Sequence, residues 1–308
     1  MPFAGIILIL AVFLDRAVGD PHTPYHPVAL LGRFIGWWGR PTAYRRSLQR
    51  VAGLIFWIAT AAIAVIPALL LEWYAPWWLY ILIAPVFLKS TFAWRSLEEH
   101  AISVEEGLSR GSGEGQRAAG MMVSRKTALL SDEEVRSAAY ESVAENLVDS
   151  IIAPLFWFAL LGLPGAAMYR AANTMDAMLG YRDDRERLGW FSARADDILS
   201  YIPARITGCL LLLWFTARRR GREAYLVLRR DAGKRPGFNG GIPMALIAGG
   251  CGIRFEKPGS YRIGDCTQSL KTGGRCVIAA VRGATVLGLL AAILCLHLAN
   301  QNHLLFIL

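Results

Sequence analysis

Long apolar runs separated by short charged segments dominate the pattern of hydrophobic and polar positions along this chain. Residues 51–71 carry no charge, and at about 1.5 Å per residue they are long enough to cross a hydrocarbon core of about 30 Å. Tryptophans and a tyrosine directly follow this run, as in the aromatic belt at a membrane surface. Further apolar runs lie at 77–88, 147–168 and 277–299, with shorter ones at 3–14 and 206–217. The pattern predicts an all-α polytopic integral membrane protein with about four to six membrane helices.

The middle apolar run, 147–168, is interrupted by Pro154 and by the sequence Gly162-Leu163-Pro164-Gly165. Charge-rich segments flank it at 95–146 and 171–205, and a single crossing would place them on opposite sides of the membrane. A broken or re-entrant hairpin would instead return the chain to its starting side. Non-helical backbone at membrane depth persists only where protein or a watery cavity surrounds it, so a break here points to a site. We expect the re-entrant hairpin, with a single crossing as the alternative.

The segment 95–146 has the pattern of two amphipathic, mostly soluble helices separated by a flexible glycine-rich turn at 111–115. The run 206–217 is short for a span, and a tilted, interfacial or dipping helix is the alternative to a crossing there. No linker rich in Ser, Gly or Pro divides the chain. We therefore predict one membrane-embedded domain over residues 1–308, with 95–146 as a cytoplasmic helical insertion.

Composition agrees with a membrane location and argues against nucleic-acid binding. Charged residues make up 19% of the chain, below the roughly one quarter that is usual in soluble domains. The net charge of +9 comes from arginines that gather beside apolar runs, before residue 51 and again at 218–230. This positive-inside pattern predicts that both loops lie in the cytoplasm. The five cysteines show no metal or disulfide pattern, and Cys209 and Cys295 are expected to be buried free thiols.

The helix that leads into the middle apolar run carries an acidic stripe. Glu141, Glu145 and Asp149 are four residues apart and share one helical face, where like charges repel by a few tenths of a kcal/mol per pair. A solvated acidic face is the ordinary interpretation. Because an apolar segment follows directly, we expect a cation, a basic substrate or arginines against this stripe, and ionisable groups at membrane depth are functional candidates.

Four further polar clusters interrupt the apolar chain. Histidines in a proline-flanked, extended segment at 19–33 have the chemistry to bind metal or phosphate, or merely to cap or pack. In the segment 169–182 an asparagine and an aspartate share a helical face, whereas the adjacent aspartates near 196 point to different sides. The glycines at 237–250 let main-chain N–H groups face an anion, with a tight structural turn as the alternative. The polar residues of these clusters are His22, His26, Asn173, Asp176, Asp196, Asp197 and Asn239.

The order of the clusters and their residue sequences resemble those of the CobD and CbiB cobalamin biosynthesis proteins, the adenosylcobinamide-phosphate synthase family. The resemblance runs from residue 14 to residue 261 and is strongest at 141–154, 169–182 and 196–205. One segment departs from the family pattern, since Pro236-Gly237-Phe238 precedes Asn239 where the family tends to have Ser-Pro-Asn. That departure leaves the geometry of the loop, and the preference for the smaller substrate, open.

The resemblance implies an ATP-dependent amide ligation in cobalamin biosynthesis. It joins a propionate of adenosylcobyric acid to an amino alcohol, usually (R)-1-aminopropan-2-ol phosphate, and gives adenosylcobinamide phosphate. ATP is the implied cosubstrate and Mg²⁺ the expected metal, although no recognised nucleotide-binding motif is present. The other implied partners are the lipid bilayer and late cobalamin-assembly enzymes. No nucleic-acid partner is expected. The resemblance also implies a multi-pass protein of the cytoplasmic (inner) membrane whose site faces the cytoplasm.

Roles for individual residues follow from the same resemblance, because Mg²⁺ takes oxygen ligands and guanidinium binds phosphate bidentately. For each arginine, snorkelling or a positive-inside role is the alternative. The expected catalytic residues are Glu141, Glu145, Asp149 and Asp176. The expected metal ligands are Glu145, Asp149, Asp176, Asp196 and Asp197. The expected substrate- and phosphate-binding residues are Asn146, Asn173, Arg170, Arg182, Arg194, Arg205, His22, His26 and Asn239.

Two functions from other classes compete with the ligase. Broken helices and polar clusters at membrane depth are typical of transporters for a corrinoid or another anionic small molecule. Against this, no second half of the chain repeats the first, and the polar clusters gather near one presumed face. A noncatalytic membrane sensor or assembly subunit is the third possibility, and it leaves the many acids beside apolar helices without a purpose.

Overall fold

The computed structural model describes residues 3–20, 23–123 and 125–305, and within them the chain is almost entirely helical. In chain order the helices are α1 (Ala4–Val18), α2 (Pro27–Trp38), α3 (Gln49–Tyr74), α4 (Trp77–Lys89), α5 (Trp94–Arg110), α6 (Ser112–Gly120), α7 (Asp132–Leu147), α8 (Ala153–Leu179), α9 (Trp190–Leu199), α10 (Tyr201–Ala217), α11 (Gly221–Asp231), α12 (Gly241–Cys251) and α13 (Leu270–Leu305). Short 3₁₀ helices occur at Pro41–Ala43 and Ala232–Lys234, and a π-helix at Val148–Ile152. Strands β1 (Phe255–Lys257) and β2 (Tyr261–Ile263) form one antiparallel hairpin.

The predicted all-α membrane architecture is confirmed. In the described part of the chain four helices are long and apolar enough to cross a membrane, or five if one bent pair counts as a span. The four are Gln49–Tyr74, Trp77–Arg110, Asp132–Leu179 and Leu270–Gln301, and the bent pair is Trp190–Leu199 with Tyr201–Ala217. This protein is therefore a polytopic membrane protein.

The chain forms two compact units, each assembled from separate stretches of sequence. Unit 1 takes the described residues within 1–93, 153–200 and 290–308, and unit 2 takes those within 94–152 and 201–289. The single membrane-embedded domain over residues 1–308 stays a prediction.

Unit 1 packs α2, α3 and α8 around a shared apolar core. Leu31, Ile35 and Trp38 of α2 meet Met175 of α8 there. Lipid tails are as apolar as these side chains, so helices inside a membrane associate through close packing and small residues. Gly53 of α3 shows this directly, because a Cβ at that position would lie 2.0 Å from a backbone carbonyl oxygen.

Helix α8 contains the break that the sequence predicts. Gly162 has a φ of 69°, in the left-handed region that favours glycine. A Cβ on Gly165 would lie 2.4 Å from the carbonyl oxygen of Trp157, whereas residues eight apart in a straight α-helix are separated by about 12 Å. The chain therefore folds back at Gly162, and the predicted broken hairpin is confirmed in shape.

Both arms of this hairpin are fastened at the same point of unit 1. The indole N–H of Trp157 donates to the carbonyl of Leu199 over 3.1 Å, and the hydroxyls of Tyr169 and Ser200 lie 3.0 Å apart. Tyr169 and Ser200 are buried, so their mutual hydrogen bond satisfies two polar groups that water does not reach.

In unit 2 the helix that carries the acidic stripe begins with a capping box. Ser131 accepts from the N–H of Glu134, whose carboxylate accepts from the backbone of Ser131. Three acids in the first turn of α7 oppose the positive end of the helix dipole. This local pattern fixes where α7, the helix that carries the stripe, begins.

The predicted flexible turn at 111–115 is wrong in extent. Helix α6 begins at Ser112, and Gly111 alone makes the turn, with a φ of 149°. The glycines Gly107 and Gly115 instead let α5 and α6 pack closely, since a Cβ on Gly115 would lie 2.3 Å from the side chain of Leu108. The segment therefore forms three helices, α5, α6 and α7, rather than two.

Two expectations about cysteines are also wrong. Cys251 and Cys276 form a disulfide between α12 and α13 of unit 2, where none was expected. Cys209 and Cys295 are exposed rather than buried. Because hydropathy does not reveal whether an apolar position faces lipid or protein, the run of apolar neighbours was misleading for both thiols.

The arginine inside the last long helix is neutralised by a buried glutamate of unit 2. Arg282 of α13 donates from its Nε and Nη2 to the carboxylate of Glu98 over 2.8 and 3.0 Å. Glu98 is buried and also accepts from the indole N–H of Trp94. Charged residues in membrane helices pair with one another in this way.

Candidate functional site

The first two acids of the stripe line a polar cavity of about 350 Å³ in unit 2. Helix α7, the loop after the 3₁₀ turn at 232–234 and the β-hairpin each contribute charged or hydroxyl groups to it. The charged and phenolic side chains at its wall are Glu141, Glu145, Arg125, Arg235, Lys257 and Tyr261. Both signs of charge thus meet in one cavity.

Glu141 is buried and accepts three hydrogen bonds. They come from the hydroxyl of Ser137 at 2.6 Å, the guanidinium of Arg125 at 3.2 Å and the phenol of Tyr261 at 2.7 Å. Burial, followed by the charge of Glu141 and the hydrogen bond to it, raises the pKa of Tyr261. Tyr261 therefore remains a donor, and the buried carboxylate is paired as its cost of desolvation requires.

Glu145, one turn further on, is held by an arginine. The Nε of Arg235 lies 2.5 Å from Oε1 of Glu145, and each side chain is about one quarter exposed. Burial alone would lower the pKa of Arg235, but the charge of Glu145 and the hydrogen bond to it, with weaker contributions from Tyr261 and Asp149, raise it. At Glu145 the stripe therefore meets an arginine, one of the three kinds of partner expected from the sequence.

Asn146 and Asp149 stand where α7 passes into the π-helix. The amide of Asn146 donates to the carbonyl of Ser142 at 2.9 Å and accepts from the hydroxyl of Ser150 at 2.9 Å. Asn146 thereby links the last turns of α7 to Ser150 inside the π-helix while it lines the cavity. Pro154 lacks the N–H that a regular α-helix would use, and such single π-turns often occur at functional sites.

The β-hairpin is docked on α7 through Ser137. The N–H of Glu256 donates to the hydroxyl of Ser137 over 2.7 Å, and that hydroxyl donates in turn to Glu141. In the hairpin register, Lys257 pairs with Tyr261, and both residues line the cavity. The strand pairing therefore delivers an ammonium and a phenol to the same place.

Asp231 ties the two segments that supply Arg235 and Tyr261. This fully buried carboxylate accepts from the ammonium of Lys234 at 2.6 Å, the N–H of Gly264 at 2.8 Å and the guanidinium of Arg230 at 2.9 Å. Burial would raise the pKa of Asp231, but these hydrogen bonds lower it well below its usual range. One ionised side chain thus joins the end of α11, the 3₁₀ turn and the end of β2.

Two other predicted residues of unit 2 bind each other. The guanidinium of Arg205 donates to the side-chain oxygen of Asn239 at 2.7 Å and to the carbonyl of Phe238 at 3.2 Å. It also lies over the ring of Tyr201, 3.5 Å from the centroid. These contacts hold the glycine-rich segment, and phosphate binding by Arg205 and Asn239 stays a prediction.

The remaining predicted residues of the described chain belong to unit 1. Asn173 of α8 donates to Asp196 of α9 at 3.3 Å, and Arg194 lies 3.7 Å from Asp197. Asp176 lies against Gly180, where a Cβ would fall 1.9 Å from its carboxylate oxygen. Arg182 lies between α8 and α9. Among these predicted residues, the structure therefore brings Asn173 into contact with Asp196.

A second charged cluster in unit 1 surrounds Lys89, which the sequence analysis did not select. Lys89 is buried and binds Asp20, and it lies 3.9 Å from the buried Asp15. His26 caps α2 by accepting from the N–H of Val28 and lies 3.9 Å from Asp20. His22 lies outside the described residues. The signal for Lys89 was its position as the one charge that closes the apolar run of α4.

Burial lowers the pKa of His26, Asp20 opposes this, and Lys89 and Arg170 lower it further. Arg170 lines a mainly apolar cavity of about 230 Å³, beside Ser90 and Thr91. Arg170 therefore brings a positive charge, and Ser90 and Thr91 bring hydroxyl groups, to the wall of a mainly apolar space.

The geometry of the stripe does not form a metal cage. Among the residues that the structure describes, no three His, Cys, Asp or Glu side chains are grouped to hold a metal ion. Glu141 and Glu145 face arginines and a tyrosine instead. Mg²⁺ commonly binds through one or two carboxylates and the phosphates of a substrate, and its binding here stays a prediction.

The stripe's partners are the residues that sequence reasoning missed. Arg125, Arg235 and Lys257 come from segments with no motif of their own, and Tyr261 marks only the end of the stretch that resembles the CobD and CbiB family. The expectation that arginines would oppose the acids was the available signal. It did not distinguish among the many arginines of this chain, because the contacts span up to 120 residues.

Fold and site together define an all-α polytopic membrane protein with a cavity of mixed charge beside an acidic helix. Residues 8–289 match the family model described as CobD/Cbib protein, and the chain belongs to this family. The transporter alternative is accordingly not favoured.

Curated relatives agree over most of the chain. A protein of Methanothermobacter thermautotrophicus named "Probable cobalamin biosynthesis protein CobD" is 41% identical over 86% of this chain and 88% of its own. A protein of the same name from Thermococcus kodakarensis is 42% identical over 84% and 85%. "Cobalamin biosynthesis protein CobD" of Rhodobacter capsulatus is 37% identical over 85% and 84%. No solved structure matches the chain.

Proposed function

We propose that this protein acts in cobalamin biosynthesis as the adenosylcobinamide-phosphate synthase, an acid–amine ligase that uses ATP. Membership of the CobD/Cbib family supports this activity. The observation that carries the choice of site is the cavity of unit 2, where Glu141 and Glu145 face Arg125, Arg235 and Lys257. An amino alcohol phosphate carries one ammonium and one phosphate, so it complements a wall that bears both signs of charge.

The reaction sets the demands on such a site. A carboxylate is a poor electrophile, so transfer of the γ-phosphoryl group of ATP to a propionate oxygen first gives an acyl phosphate and ADP. The amine nitrogen then attacks the carbonyl carbon, the C–N bond forms, and the C–O bond to phosphate breaks. The nitrogen loses its proton to a base, and inorganic phosphate leaves.

The residues of the cavity suit the second half of this reaction. Glu145 is partly exposed to the cavity and is our candidate to bind the ammonium and accept its proton. Lys257 and Arg125 have the charge to hold the phosphate of the amino alcohol. Tyr261 and Ser137 keep Glu141 in place from opposite segments.

We also propose that the protein lies in the cytoplasmic membrane with this site open to the cytoplasm, where ATP is available. Mg²⁺ enters with the nucleotide and is bound mainly by its phosphates. The corrinoid substrate is adenosylcobyric acid, and other late cobalamin-assembly enzymes are candidate partners.

The purified protein in detergent tests the proposal directly. We expect ATP consumption only when a corrinoid acid and an amino alcohol phosphate are both present, with adenosylcobinamide phosphate identified by mass spectrometry. Glu145→Gln is expected to lose most turnover, whereas Glu99→Gln, which breaks an exposed Arg95–Glu99 pair on α5, keeps it. Uptake of corrinoid by sealed vesicles without ligation would instead establish transport.

A further inference from the structure

Helix α11 presents an outward face that combines arginines with apolar side chains. Arg222, Tyr225, Leu226 and Arg229 occupy positions i, i+3, i+4 and i+7, which share one side of an α-helix. All four are exposed, and Tyr225 and Leu226 are exposed by 45% and 55%. Two apolar side chains therefore stand between two guanidinium groups on the open side of the helix.

The opposite face fixes the orientation of α11. Ala224, Val227 and Asp231 are buried within unit 2. Gly249 of α12 lies so close that a Cβ there would come within 2.6 Å of the carbonyl oxygen of Glu223. Helix α11 therefore cannot rotate to bury Tyr225 and Leu226 without breaking this packing.

The position of α11 in the chain places this face beside a membrane helix. It follows α10, the second half of the bent pair that is apolar enough to span a membrane, and α10 exposes Cys209 and Leu213. Arg218, just after α10, lies over the ring of Trp214 at 3.8 Å. An apolar exposed surface thus gives way within a few residues to an aromatic ring with arginine, as at a membrane boundary.

The charge around α11 is strongly positive. Six arginines and one glutamate are the charged residues of 218–230, namely Arg218, Arg219, Arg220, Arg222, Arg229, Arg230 and Glu223. Amphipathic helices with basic residues beside exposed apolar ones lie in the plane of the membrane surface. Anionic headgroups attract basic segments close to a membrane helix over about a Debye length.

We propose that the outward face of α11 rests on an anionic phospholipid surface, with Tyr225 and Leu226 in the headgroup region and Arg222 and Arg229 against lipid phosphates. The apolar pair and the continuity with α10 favour lipid over nucleic acid, which would complement the charge alone. This inference does not depend on the proposed ligase activity. It assigns α11 a partner, and the lipid-contacting helix is the one that ends at Asp231, which organises the cavity.

Hydrogen exchange in reconstituted full-length protein tests the proposal. Nanodiscs of phosphatidylcholine alone are compared with nanodiscs enriched in phosphatidylglycerol, and amide exchange is measured by mass spectrometry over residues 221–231. We expect several-fold slower exchange in the anionic discs and loss of the difference at high salt. The double variant Arg222→Gln/Arg229→Gln is expected to exchange equally in both.

A matched double variant distinguishes lipid binding by the outward face of α11 from a general effect of losing two positive charges. Arg254→Gln/Arg262→Gln removes two exposed arginines of the same unit from the β-hairpin and is expected to keep the lipid-dependent difference at 221–231. Wild-type exchange that is the same in both lipids would overturn the proposal. So would a difference that survives in Arg222→Gln/Arg229→Gln. Because exchange across the rest of the chain reports folding in the same experiment, a misfolded variant is recognised.

Discussion

Each unit buries carboxylates among apolar helices, and the two units neutralise them differently. In unit 2, Glu141 and Glu145 have separate partners drawn from distant segments, and both carboxylates line an open cavity. A ligand with an ammonium group is able to exchange with Arg235 at Glu145, since this pair is partly exposed.

In unit 1, by contrast, two aspartates share one ammonium. Lys89 binds Asp20 and lies near Asp15, and both Lys89 and Asp15 are buried. The adjoining cavity has mainly apolar walls. Charged side chains therefore serve two purposes in this protein. Lys89 closes a charge network within the fold, whereas Glu145 remains accessible for binding.

The largest effect is expected from removing the shared ammonium of unit 1. Lys89→Met leaves two carboxylates without their common cation, and breaking a buried ion pair costs about 3–5 kcal/mol. We expect a loss of thermal stability of that order in detergent, measured by differential scanning fluorimetry. Lys126→Met removes an exposed lysine, so it is expected to change stability by no more than about 0.5 kcal/mol. Equal stability of both variants would contradict the role given to Lys89.

Changing the accessible acid of unit 2 is expected to reduce turnover and to leave stability almost unchanged. Glu145→Gln should lower turnover about 100-fold, the lower end of what a general base contributes. Its effect on stability should stay within about 1 kcal/mol, because the pair is partly exposed and the amide oxygen of Gln remains an acceptor for Arg235. Steady-state kinetics and unfolding of the same preparation check this. A large loss of stability with normal turnover would reverse the comparison between the units.

A third variant disturbs the cavity of unit 2 through a residue that does not line it. Asp231→Asn removes the ionised acceptor that joins Lys234 to Gly264, and we expect about 1–3 kcal/mol less stability. Turnover should fall as well, with faster hydrogen exchange at 255–264, because Arg235 and Tyr261 lose their common support. Asp265→Asn is the control, since Asp265 is exposed and binds the same Arg230. If both variants behave alike, Asp231 does not position the site.

The smallest effect is expected from the histidine of unit 1. Because burial lowers the pKa of His26 from its ordinary 6.5, the unfolded chain binds a proton more readily than the folded one. Stability is therefore fully present above pH 6.5 and decreases as pH falls below it. His26→Asn keeps a side chain suited to cap α2 and should flatten this pH dependence. An unchanged slope between pH 7 and pH 5, measured by thermal unfolding, would show that His26 is not responsible.

The elements that the sequence predicts well are those with local causes. Residues 51–71 span because they are apolar and long enough, and the break near Gly162 follows from glycine and proline in an apolar run. The acidic stripe was likewise visible, since helical spacing alone puts Glu141 and Glu145 on one face.

What the sequence did not reveal depends on contacts between distant segments. Arg235 lies 90 residues from Glu145 along the chain, and nothing in its neighbours marks it among the arginines. The pairing of Cys251 with Cys276 has the same origin, because tertiary packing brings the two helices together. Local pattern predicts which residues need partners, and the tertiary fold decides which partners they have.

The left-handed Gly162 also changes how far this chain reaches into a bilayer. The apolar residues before it, 147–161, cover about 22 Å as helix, and the second arm, 163–179, about 25 Å. Each is shorter than a hydrocarbon core of about 30 Å. Asp132–Leu179 is long and apolar enough to span a membrane, but its backbone folds back at Gly162. A single backbone torsion therefore decides whether this run crosses the bilayer or dips into it.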